Sequence, residues 1–233
     1  MKYRSFFSLG LVWLLSGTAA LALNPDSPKQ LEIRVQFIEM TAENANTLLL
    51  ADDLPTDTRG WSERLKTLLS SGQGTVAASA TVITKSGQRA SVESVDEHIY
   101  PTEFDTPNED KDSKNPSSST GVPIPTTFEM RPVGVRLEVD PVLGADGETV
   151  DLNLAPEWIQ YFGDKSQVQV PVAGSSVEAE LQPRFYSIKT QTSVTLTNGG
   201  SALIGEHLPP DEEGVADSSR RILMFVSVRV IEA

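Results

Sequence analysis

The sequence predicts a mainly β fold with one or two short helices, built from long antiparallel strands and hairpins. Three observations carry this. Leu31-Glu32-Ile33-Arg34-Val35-Gln36-Phe37 alternates strictly between apolar and polar residues, the period of a half-buried strand. The same period recurs along the chain from Val76 to Ile231, with turn residues between the runs. Clear helical spacing occurs once, where Trp61, Leu65, Leu68 and Leu69 form one stripe within Thr58–Ser71.

The chain opens on an address. Lys2 and Arg4 precede an apolar run from Phe6 to Leu15, and Ala20-Leu21-Ala22 is a small-x-small cleavage pattern. Residues 1–22 therefore read as a secretory signal peptide, and 23–30 as a short linker. The apolar run falls short of the ~20 residues of a membrane-spanning helix. With no Cys after the site, a lipid-anchored mature terminus is excluded. Entry of the mature chain into a membrane would require a closed β-barrel. Residues 31–233 read as one β-domain.

Within it, Ala42–Leu50 is a second helix candidate, and Thr58 is placed to cap the better helix, with Gly72 as its left-handed stop. Val76 to Val82 and Ala90-Val92, joined by Lys85-Ser86-Gly87-Gln88, form a hairpin signal. Phe128 and Met130 share one parity, and Val133, Val135, Leu137 and Val139 the other. The phase change at Arg131-Pro132 predicts a bulge. Gly144 to Gly147 is a turn, after which Val150, Leu152 and Leu154 return. Tyr186, Ile188, Val194 and Leu196 keep one parity, and Asn198-Gly199 is a tight-turn signal. The last strand is apolar on both faces, with Ile222, Met224, Val226 and Val228 opposed by Leu223 and Phe225. That places it centrally or beneath another layer. Residues 105–126 are Pro-rich, polar and acidic, and read as a flexible insertion loop. Asp211 to Gly214 is a second acidic loop.

Composition removes most chemistries. A net charge of −13 argues against nucleic acid as a partner. Zero Cys excludes disulfides, thiolate metal sites and Cys nucleophiles, and only His98 and His207 are available for imidazole chemistry. Neither His has a spaced partner, and both read as surface or edge residues. Asn108, Asp110 and Asp112 imitate a calcium loop, but Ser113 and Ser119 occupy positions that need Gly and an acid, so the EF-hand reading fails. Carboxylates are plentiful, and Asp140 and Asp151 are a pair that a hairpin could set face to face, the basis of an acidic-pair hydrolase reading. The expectation is no catalytic residue, no metal, no cofactor and no small-molecule substrate.

The ordered segments resemble the C-terminal secretin domain of bacterial type II and III secretion system proteins. Ile38-Glu39-Met40 ends a strand similar to the family's opening one. Gly87-Gln88-Arg89-Ala90 resembles its Gly-Gln-x-Ala turn. The most specific piece is Val133-Gly134-Val135-Arg136-Leu137-Glu138-Val139-Asp140-Pro141, which is similar to its Val-Gly-x-x-Leu-x-Val-x-Pro strand. Gly147 before Val150–Leu154, Gln182-Pro183-Arg184-Phe185, Ile204-Gly205 and the strand Arg221–Ile231 complete the series. The structural motif residues are thus Glu39, Gly87, Gln88, Val133, Gly134, Leu137, Val139, Pro141, Gly147, Pro183 and Gly205.

The resemblance implies a non-enzymatic homo-oligomeric ring, partnered by itself or by other secretion-system proteins. Its strands would join a shared barrel in the outer membrane, with export to the periplasm or outer membrane of a Gram-negative-type bacterium. Three departures are visible, one being Ser227-Val228-Arg229 in the closing strand where the family commonly has Thr-Pro-Arg. Glu206 to Ser219 is short and acidic and lacks the Pro-Leu-Leu-Gly and Gly-x-Leu-Phe steps of the family's gate. Only eight residues separate Ala22 from Leu31, so no N-terminal ring-building domain is expected. The missing gate segment and the strong negative charge support an alternative: a soluble periplasmic secretin-derived β-domain that binds a protein partner without forming a pore.

Overall fold

The computed structural model describes residues 29–51, 53–105, 124–172 and 175–232, with side chains given outside 165–182. The signal segment, the calcium-like loop and residues 106–123 of the insertion loop lie outside the described residues. Asp105 and Ile124–Thr126, at the loop's predicted margins, belong to strands.

The order is β1 (Gln30–Thr41), α1 (Ala42–Leu49), α2 (Thr58–Ser70), β2 (Thr75–Lys85), β3 (Ala90–Asp105), β4 (Ile124–Leu143), β5 (Thr149–Val172), β6 (Ser175–Lys189), β7 (Thr192–Thr197), β8 (Ser201–His207) and β9 (Arg220–Ile231). The mainly β expectation with two short helices holds. One sheet runs β2-β1-β9-β8 and the other β3-β4-β5-β6, with β7 also on β5. Every ladder is antiparallel.

Two cores explain the layering. Leu31, Ile33, Val35 and Phe37 of β1 share one buried cluster with Leu137 and Val139 of β4, Leu152 of β5 and Met224 of β9. Alternate residues of both sheets therefore meet between them, and Phe37 lies against Trp158 at 5.3 Å between ring centroids. The opposite face of the first sheet, through Ile38, Leu223 and Phe225, buries under Ala45, Leu48, Leu65 and Leu68 of the helices. β9 sits between β1 and β8 with both faces covered, which accounts for its two-sided apolar sequence.

Local chemistry sets the helix ends. Thr41 caps α1 by accepting from the Asn44 amide at 3.2 Å. The cap of α2 is Asp57, not Thr58: its carboxylate accepts from the Gly60 amide at 2.6 Å. Thr58 is the first helical residue, and its hydroxyl meets that of Thr197 at 2.6 Å. Gly72, at φ +70°, closes the helix, with Gln73 N–H donating to Leu68 O.

Two further expectations are corrected. β2 and β3 are not a hairpin: β2 pairs with β1 in one sheet and β3 with β4 in the other. The turn between them instead docks on the end of β4, where Gly87 N–H donates to Pro141 O and Leu143 N–H to the Ser86 hydroxyl. There is also no bulge at Arg131-Pro132. The β3–β4 register runs unbroken from Ala90↔Val139 to Pro101↔Phe128, and the irregularities lie at Pro101–Phe104. The parity change has another cause: in the distal half of β4 the apolar residues occupy the opposite face and are exposed.

Candidate functional site

In a chain built mainly of strands, the candidate site is the set of surfaces that the described strands leave open. Among the described residues no group of three His, Cys, Asp or Glu is placed to hold a metal. No described helix is long and apolar enough to cross a membrane. The acid pair does not assemble: Asp140 lies opposite Asn153, and Asp151 opposite Val142. Asp140 instead has Arg89 at 3.9 Å, while Asp151 accepts from the Thr195 hydroxyl at 2.6 Å.

The motif residues fall into several separate structural places. Glu39 holds the start of β9. It accepts from Arg220 at 2.7 Å, and the same guanidinium binds Asp217 and Pro210 O, tying down the loop 208–219. The Ser219 hydroxyl and then Arg220 draw the Asp217 pKa down to about 2. Gly87, Gln88 and Pro141 come together at the β2–β3 corner, where Gly87 has φ +73° and the Thr84 hydroxyl donates to Gln88 O. Gly147 closes the β4–β5 turn at φ +70°. Beside it, Asp146 accepts from the Thr149 hydroxyl and the Thr149 and Glu148 amides, which lower its carboxyl to about 2.

Leu137 and Val139 are core residues between the sheets, and Val133 is half-buried. Gly134 is a special case. Its φ is +140°, and a Cβ there would sit 2.2 Å from Ser94 O. Pro183 lies far along β6, opposite Asp164. Gly205 marks the register shift in β8, packed against the His207 ring. The motif set is therefore scaffold at corners, bends and core, and not one convergent pocket.

The second sheet carries the open surfaces. β3 pairs only with β4, and β6 only with β5, so long edges are left on both sides of the described sheet. On the distal half of β3–β4, Ile99, Phe128 and Met130 are 62%, 56% and 56% exposed, with Ile124 beside them. β4–β5 pairing stops at Gly134↔Ile159, although both strands continue.

Sequence reasoning missed two groupings. Buried Glu32 accepts from Arg34 at 2.9 Å and from Arg229, a tie across β1 and β9. His98, Tyr100, Tyr161 and Phe185 form an aromatic cluster, with Arg131 over the Phe185 ring at 4.8 Å. The run His98-Ile99-Tyr100 was the available signal, but its partners on β5 and β6 lie more than sixty residues away.

Among solved structures, the chain is similar to the type IV competence pilus secretin PilQ of V. cholerae, at 14% identity, TM-score 0.47, covering 88% of this chain and 62% of that one. It is also similar to the type II secretin GspD of enteropathogenic Escherichia coli, at 14% identity, TM-score 0.42, over 88% and 70%. The type III injectisome secretin InvG of Salmonella follows at 11% identity, TM-score 0.39, over 87% and 63%. This chain thus spans about two thirds of each. No curated protein matches it. The family model of secretins, described as bacterial type II and III secretion system protein, matches residues 67–208. That range holds more than half of the chain, including the Gly-Gln turn, the Val133–Pro141 strand and the second sheet, and the chain belongs to the secretin family.

Proposed function

We propose that this chain is a non-enzymatic structural component of a type II/III-like secretion assembly, exported by residues 1–22 and acting as a homo-oligomeric ring at the outer membrane. The observation that carries the reading is the second sheet, whose edge strands of 16 and 15 residues have no outer partner among the described residues. Edges of that length invite pairing with another chain, and folded proteins that stay monomeric blunt or cover them. Pairing β3 of one copy with β6 of the next satisfies both at once and closes on itself around a ring. The exposed Ile99, Phe128 and Met130 supply an apolar outer face for lipid, as a barrel in a membrane requires. The loop 208–219, tied down by Arg220, provides no gate of its own in this reading.

The test is the oligomeric state of the secreted mature chain, measured by light scattering and negative-stain imaging with and without detergent. Rings in detergent extracts support the proposal. A monomer under both conditions overturns it and leaves the soluble, partner-binding β-domain. Mass spectrometry checks export separately: a mature chain beginning at Leu23 is expected, and retention of Met1–Ala22 refutes the signal peptide.

A further inference from the structure

Strand parity exposes an anomaly in the second sheet. Its core-facing residues are Ala90 and Val92 on β3, Val135 and Leu137 on β4, Leu154 and Trp158 on β5, and Ile188 on β6. His98 and Tyr100 keep the parity of Ala90, and Arg131 that of Val135, because the β3–β4 register is unbroken between them. Tyr161, Phe185 and Ser187 have the opposite parity on β5 and β6. In a continuous sheet the two groups would lie on opposite faces. Instead the His98 and Tyr161 rings are 4.2 Å apart, His98 and Phe185 5.7 Å, and Arg131 donates to the Ser187 hydroxyl at 3.3 Å.

The distal β3–β4 hairpin must therefore turn over and lie on the outward face of β5–β6. The turning point is Gly134. β4–β5 pairing ends there, φ is +140°, and the close approach of Ser94 O leaves no room for a side chain. The fold-over covers Ile159, whose parity is outward but whose exposure is 7%. A cleft of about 270 Å³ between Arg131 and Ile159 marks the seam.

We propose that this hairpin is a latch, closed in water and released at a lipid surface. The closed contact consists of ring packing, one cation–π contact and one side-chain hydrogen bond. Among the described residues no backbone ladder joins the two hairpins beyond Gly134↔Ile159. Such a contact can be exchanged for another without unfolding the sheet. Release lets β4 continue along β5 in the register already set, bringing Pro132 opposite Tyr161. Ile99, Met130 and Phe128 then join Ile159, Tyr161 and Phe185 on one outward face. The closed form covers Ile159 and occupies the outward rings of Tyr161 and Phe185; the open form presents one continuous apolar and aromatic band. The lipid trigger rests on the outer-membrane reading above, while the closed contact stands without it.

The chain contains no Cys, so introduced pairs report cleanly. His98→Cys with Tyr161→Cys reports the latched form, and Arg131→Cys with Ser187→Cys is a second latched pair should the first fail to fold. Met130→Cys with Tyr161→Cys reports the open form. Each full-length variant is treated with a short bismaleimide in buffer and after addition of phosphatidylethanolamine/phosphatidylglycerol vesicles. In buffer the latched pair is expected to cross-link at least tenfold faster than the open pair, and vesicles are expected to invert the order. Faster reaction of the open pair in buffer overturns the latch. An order unchanged by vesicles overturns lipid release. Rings that assemble with the latched pair still cross-linked retain the ring and remove the latch. Inversion in a chain that never oligomerises retains the latch and removes the ring.

Discussion

Replacing Gly134 with Ala tests the bend on which the second sheet depends. Two costs can be worked from the structure. A φ of +140° is a conformation that L side chains rarely adopt, and holding an alanine in such a region costs about 1–3 kcal/mol. The new Cβ would sit 2.2 Å from Ser94 O and 2.9 Å from Val95 Cα. Both are backbone atoms of the paired strand, so no flexible side chain can move aside, and forced overpacking adds about 1–3 kcal/mol. The expected loss is roughly 2–6 kcal/mol, a large part of the 5–15 kcal/mol typical of folded domains. Gly87→Ala is the control. Its φ is +73° with nothing within 4 Å of the added carbon, so only the conformational cost of about 1–2 kcal/mol applies. Urea unfolding of both variants, compared at equal m, isolates the steric share. Unfolding free energies that agree within about 0.5 kcal/mol would refute the close approach at Ser94 and with it the bend.

Leu137 is fully buried between the sheets, and Leu137→Asp places a carboxylate there without a partner. A loss of about 4 kcal/mol or failure to fold is expected, and an unchanged thermal melt would show the face assignment wrong. The Ser62 hydroxyl bonds to Gly199 O at 2.7 Å and shares a 2.9 Å contact with the Ser201 hydroxyl. Ser62→Ala strands buried Ser201 and is expected to cost about 1–3 kcal/mol, with Ser62→Ala/Ser201→Ala costing less than the two single losses combined in a double-mutant cycle. His207 has its Nε2 buried without a hydrogen-bond partner among the described residues, and burial lowers its pKa below 6.5. The unfolded chain therefore takes up this proton first on acidification. Stability from this site is complete above about pH 6.5 and declines as pH falls below it. Wild-type protein should lose more of its melting temperature between pH 7 and pH 5 than His207→Gln, and parallel curves would contradict this.

What was legible in the sequence depended on neighbours close along the chain. The Trp61–Leu69 stripe, the Gly72 stop and the alternation of Leu31 to Phe37 are set by residues within one or two turns or strand repeats. The two-sided apolarity of Ile222–Val228 required burial on both faces and did not require knowing what supplied it. The Gly87-Gln88 and Val133–Pro141 motifs pointed to the family. The same local reasoning failed where a partner had to be named. Asp57 and Thr58 are both capping residues, and Thr197, far along the chain, occupies the Thr58 hydroxyl. β2 and β3 flank a good turn, yet their apolar faces are buried by different sheets. Asp140 and Asp151 are two residues out of register with each other, and ladder pairing decides that offset.

By itself the sequence determined the strand periods and the apolar stripe of the Thr58–Ser70 helix, and its motifs pointed to the family. Each of the first two is a statement about which side of a segment leaves water, and alternation or helical spacing records it directly. Only the tertiary structure decided which sheet each strand joins and where β4 leaves β5. It alone decided that His98, Tyr100 and Arg131 meet rings of opposite parity. The phase change at Arg131-Pro132 shows the reason: one apolar pattern is produced equally by a bulge and by a shift of the apolar residues to the exposed face of an unbroken strand. Hydrophobic burial is indifferent to which surface supplies the cover. The choice falls to register, to the absent Cβ of Gly134 and to side chains brought together from distant strands.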